Sequence, residues 1–121
     1  MKLGIRPLKE SPLKVVVISP NTPEAMKHFV KECVENKIQF MYDPGMQLPR
    51  LSDEDLRYGI KNCEILIGND YEIELMKRRM GDLKVPILIT TLGEKGAVIF
   101  DHRNKKDIQD IIGNLYDDAE R

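Results

Sequence analysis

Four short runs of β-branched and aliphatic residues recur along this chain. Each of the first three is followed by the opening signals of a helix, and that alternation limits what the chain can fold into. The runs are KVVVIS at 14–19, IQFMY at 38–42, EILIG at 64–68 and PILITT at 86–91. The first is continuously apolar instead of alternating, which predicts a strand buried on both faces, as in a parallel sheet. Thr22 then offers a hydroxyl for a helix N-cap, and Pro23 suits the first helical position. Met26, Phe29, Val30 and Cys33 follow at helical spacing, predicting a helix to about Asn36. After the second run, Asp43-Pro44-Gly45 signals a turn and a loop carries Pro49 and Arg50. Ser52, with Asp55 three positions on, opens the next helix, which reaches about Asn62 and buries Leu56 and Ile60. Asn69 or Asp70 caps a third helix carrying Ile73, Leu75 and Met76, and Gly81 ends it. Beyond the fourth run, the turn at 92–96 and a short strand at 97–100 read as a hairpin. Asn104 is expected to cap a last helix, with Ile108, Ile111, Ile112 and Leu115 on its core face.

Strand and helix joined by short connections predict βαβ units. The expected architecture is one α/β domain over residues 1–121. It is a three-layer α/β/α sandwich on a mostly parallel, four-stranded sheet, Rossmann-like or flavodoxin-like, with a C-terminal hairpin strand and a closing helix. Composition agrees: of 121 residues, 41% are hydrophobic and 32% charged, ordinary for a globular chain with one core. The formal net charge of −1 leaves no electrostatic footprint for nucleic acid or an anionic membrane. No run is long enough to span a bilayer, and MKLGIRPLKESP lacks the apolar stretch of a signal peptide, so a cytoplasmic location is expected. Cys33 and Cys63 lack a CxxC spacing and read as buried hydrophobes instead of a disulfide or metal pair.

In parallel α/β sheets, functional groups gather beyond the C-terminal strand ends. Here those ends are Ser19-Pro20-Asn21, Asp43-Pro44-Gly45, Gly68-Asn69-Asp70 and Thr91-Leu92-Gly93. Asn69 and Glu72 admit two readings. One is a capping box, with Asn69 accepting from a first-turn amide and Glu72 answering the helix dipole. The other is a pair of oxygen ligands for a hydrated magnesium ion. The turn around Thr91, Gly93, Lys95 and Gly96 also has two. It is a plain hairpin turn, or a loop whose amides receive phosphate. Strand 1 exits without an acidic pair, which argues against a receiver domain built on Asp43 and Lys95. No G-x-G-x-x-G follows it, so a dinucleotide site is not supported. His28 and His102 read as surface residues, and Lys77, Arg78 and Arg79 suit a helix C-terminus.

The ordered set is more specific than its parts. ILIGNDYEIELM followed by VPILITTLGEKGAVIF resembles the ribokinase (phosphofructokinase B-like) family of sugar and nucleoside kinases. The first carries that family's N-x-x-E motif at Asn69 and Glu72; the second carries its T-x-G-x-x-G turn at Thr91, Gly93 and Gly96. MYDPGMQLPRLSDEDL and VVVISPNTPEAMKHFVKEC resemble the preceding segments. The likeness covers residues 13–100. It implies magnesium at Asn69 and Glu72, and the phosphates of ATP at Thr91, Gly93, Lys95 and Gly96. The family's sugar-binding half and its D-T-x-G-A-G-D segment have no match in this sequence. Phosphoryl transfer depends on positioning and charge stabilisation, so a catalytically inactive folding unit is expected. The alternative is a module that binds nucleotide or phosphate weakly, with Mg and ATP. Residues 1–12 and 101–121 do not resemble the family, which suggests a designed or recombined half-domain. A homo-oligomer through a sheet edge is the expected partner arrangement.

Overall fold

The computed structural model describes residues 15–103. In chain order the elements are β1 (Val15–Ile18), α1 (Pro23–Glu35), β2 (Gln39–Tyr42), a 3-10 segment (Gly45–Arg50), α2 (Asp53–Asn62), β3 (Ile65–Asn69), α3 (Asp70–Met80), β4 (Ile87–Thr91), a 3-10 turn (Gly93–Lys95) and β5 (Ala97–Asp101). The expected helix from Asn104, like residues 1–12, lies outside the described residues.

Helix starts follow local chemistry. The Thr22 hydroxyl accepts from the Ala25 amide at 3.2 Å, and the Ser52 hydroxyl accepts from the Asp55 amide at 3.1 Å. Each satisfies an amide that the first helical turn cannot. The loop carrying Pro49 and Arg50 coils into the 3-10 segment, with Leu48 buried beneath it.

The five strands form one sheet in the order β1-β2-β3-β4-β5. The first four are parallel and β5 returns antiparallel, as the alternation and the hairpin turn imply. The order is sequential, without the reversal that marks Rossmann and flavodoxin sheets. Right-handed crossovers that always step in the same direction place successive helices on the same face. The core shows this: Val16, Ile18, Phe40, Tyr42 and Leu66 from the sheet share one buried cluster with Met26, Val30 and Cys33 of α1, Leu56 and Ile60 of α2, and Ile73 and Met76 of α3. Among the described residues the sheet therefore carries one helical layer. Its other face presents Val17, Met41, Ile65, Ile67 and Ile89, all half-buried.

Both cysteines sit inside, and both are free thiols. Burial pushes the Cys33 thiol up to about 11 and the Cys63 thiol up to about 12. Protonated, buried sulfurs behave as small hydrophobes.

Candidate functional site

The C-terminal ends of the four parallel strands lie along one edge of the sheet, and the residues singled out from the sequence assemble there. The link between them is register. Asn69 at the end of β3 pairs with Thr91 at the end of β4, so the two motifs are adjacent although separated in sequence. The Thr91 hydroxyl is within 3.5 Å of the Gly68 carbonyl, a loose contact across the same strand pair.

Asn69 and Glu72 form a complete capping box. Asn69 Oδ1 accepts from the Glu72 amide at 2.7 Å, and Glu72 Oε1 accepts from the Asn69 amide at 2.9 Å. The box holds both side chains still at the start of α3. A Cβ at Gly68 would lie 3.3 Å from Glu72 Oε1 and from Ile73 Cδ1. The bare backbone there lets the Glu72 carboxylate lie close over the end of β3.

A second acid, not assigned a ligand role from sequence, lies near Glu72. Asp43, just past β2, is half-buried. Burial first, and the neighbouring Glu72 carboxylate second, raise its carboxyl above the ordinary value. A neighbouring carboxylate makes the Asp43 charge costly. The β1 exit closes on the same spot. Gly45 has φ of 50°, and a Cβ there would fall 2.6 Å from Pro20 Cγ. Only a glycine lets the Asp43-Pro44-Gly45 turn tuck against Pro20.

At the β4 exit, Gly93 and Gly96 take φ of 62° and 94°. The Leu92 amide donates to the Gly96 carbonyl at 2.7 Å. The Lys95 amide reaches Leu92 O and the Gly96 amide reaches Gly93 O, both at 3.1 Å. Three amides of the turn are thus used inside it. Lys95 stands at the end of the 3-10 turn, between the two glycines.

Two surface cavities, of about 420 and 910 Å³, include none of Asn69, Glu72, Thr91, Gly93, Lys95 or Gly96 in their walls. Among the described residues, no three His, Cys, Asp or Glu side chains converge as a metal cage. The donor set that exists is sparser: the Glu72 carboxylate, the Asp43 carboxylate near it and the capping Asn69. It fits magnesium, which keeps most of its waters and takes few protein ligands.

Of the basic run at the end of α3, Arg79 turns away from this edge. Its guanidinium donates to the Leu48 and Leu51 carbonyls, each at 2.8 Å, and its Nε to Asp53 at 2.8 Å. It fastens the 3-10 segment and the start of α2, which helix-dipole reasoning alone did not reveal.

No protein-family profile matches the chain. Individual relatives do. A nucleoside kinase of Methanocaldococcus jannaschii is 32% identical over 101 residues, a match that takes in 78% of this chain and 33% of that protein. The solved nucleoside kinase of Burkholderia thailandensis in complex with inosine superposes with a TM-score of 0.69 at 28% identity, covering 78% of this chain and 34% of that one. The solved Methanocaldococcus jannaschii nucleoside kinase, an archaeal member of the ribokinase family, gives a TM-score of 0.65 at 30% identity, covering 73% and 31%. In fold and sequence this chain is similar to part of these kinases. The relatives it matches are nucleoside kinases, and it spans about a third of their length.

Proposed function

We propose that this chain carries the magnesium and phosphate side of a nucleotide site and binds a magnesium–nucleoside triphosphate weakly. The observation that supports the reading is the pairing of Asn69 with Thr91. It sets Asn69 and Glu72, with Asp43 nearby, beside the glycine turn at 93–96, where a triphosphate needs a cation and a loop side by side. In this reading Glu72 and Asp43, with Asn69, hold the hydrated ion, which supplies positive charge between the two carboxylates and the phosphates. Thr91, Gly93, Lys95 and Gly96 line the phosphate path. Affinity stays low because three of the turn's amides are already bonded. We also propose that residues 15–103 do not transfer phosphate by themselves, since they contain no counterpart of the family's anion-hole segment.

Titration of the full-length chain with Mg–ATP, followed by amide NMR, tests the binding. The expected result is a saturable shift of Asn69, Thr91, Gly93 and Gly96 at millimolar nucleotide, lost in Glu72→Gln. Unmoved Gly93 and Gly96 signals sink the proposal. A parallel ADP-release assay with a panel of nucleosides, inosine included, checks turnover; sustained ADP release would overturn the second half.

A further inference from the structure

A separate cavity opens between α1 and α2; it reaches Tyr42 at the end of β2 but none of Asp43, Asn69, Glu72, Thr91, Gly93, Lys95 or Gly96. Its volume is about 420 Å³, within the range of small-molecule sites. The floor is apolar: Val30, Tyr42, Leu51 and the flank of Tyr58. Four cations stand around it, Lys27, Lys31, Arg57 and Lys61, against two carboxylates, Glu54 and Asp55. Only Lys27 is engaged, 3.8 Å from Asp55. Lys31, Arg57 and Lys61 make no ion pair among the described residues. An apolar floor under an excess of unpaired positive charge suits a molecule with an apolar body and one negative end.

Tyr42 supplies an independent pointer. It is 1% exposed, yet its ring lines this cavity. Among the described residues its hydroxyl makes no hydrogen bond, and the oxygen is not sealed from solvent. At the cavity wall it is left to bond water or a ligand. Burial first, then the neighbouring Cys63 and Asp55, hold the group well above its ordinary value, so it stays a donor.

We infer that the α1/α2 cavity binds a small amphipathic carboxylate, a ring-sized apolar body seated on Val30, Leu51 and Tyr58 with its anionic oxygen on the Tyr42 hydroxyl and the Lys31/Arg57 cations. A planar carboxylate is preferred to a compact anion. Arg57 presents a planar fork, and the floor rewards an apolar body with nothing polar on it.

The test is an amide NMR titration of the full chain with naphthoate, using naphthamide as the uncharged control. Naphthoate is expected to shift Lys31, Arg57 and Tyr58 saturably, and naphthamide to bind about tenfold more weakly. The exposed double variant Lys31→Glu/Arg57→Glu leaves the core intact and is expected to lower naphthoate affinity by about tenfold. Tyr42→Phe keeps the ring and is expected to lower it about threefold to tenfold. Equal binding of naphthamide, unchanged affinity in either variant, or shifts centred elsewhere would overturn the inference.

Discussion

Gly59 illustrates a residue whose role is invisible locally. It sits inside α2, where replacing glycine by alanine normally gains about 1 kcal/mol of helix propensity. Here a Cβ would lie 2.4 Å from Tyr42 Cζ and 2.6 Å from its Cε2, because the buried ring packs flat on the helix backbone. Gly59→Ala is therefore expected to destabilise by about 1–3 kcal/mol, the range for overpacking a filled core. Urea unfolding checks it, and a more stable variant would refute it. Asp43 carries a pH signature. Its carboxyl binds its proton more tightly folded than unfolded. Folding is thus favoured most below the ordinary carboxylate range, and that contribution is lost as pH rises through the folded value. Asp43→Asn is expected to gain stability relative to wild type between pH 4 and neutrality, with the difference vanishing at lower pH. Unfolding curves at several pH values measure this, and magnesium should narrow the gap if the ion sits between Asp43 and Glu72. The capping roles of Thr22, Ser52 and Asn69 were legible in the sequence, since each bonds an amide three residues on. Those of Gly59 and Asp43 were not, because their neighbours arrive from other strands and helices.

Elements show the same division. Each helix begins where a Ser, Thr or Asn precedes an amphipathic stretch, and α3 ends at Gly81, as local rules require. What joins α3 to the segment at 45–52 is Arg79, whose carbonyl partners lie 31 and 28 residues back. No pattern in the run Lys77-Arg78-Arg79 distinguishes the residue that turns inward. Arg79→Ala leaves two carbonyls without this donor, and its expected cost is about 1.5–3 kcal/mol. The Asp53 pair adds little, since Asp53 is largely exposed. Arg79→Lys should recover only part of the loss, because an ammonium lacks the fork that reaches both carbonyls. Hydrogen exchange at Leu51, whose amide bonds Gln47 and Leu48 carbonyls, should quicken in both variants. Unchanged exchange there would show that the 3-10 segment stands without Arg79.

At the scale of the molecule, β1 and β5 form the sheet edges among the described residues. Edge strands carry unpaired backbone groups that invite a partner strand. A dimer through such an edge predicts a sedimentation mass that rises with concentration, and a monomer mass at all concentrations removes that expectation. Hydrophobic periodicity and caps were enough to establish the α/β class, the four parallel strands, the returning hairpin and the list of strand exits, because those signals act over a few residues. The sequential strand order, the gathering of all three described helices on one face, and the nearness of Asp43 to Glu72 came only with the tertiary structure. Each depends on which strand pairs with which, and pairing is decided by burial across the whole sheet. Asn69 and Thr91 could be read as two motifs from the sequence, but only the strand register brings them side by side.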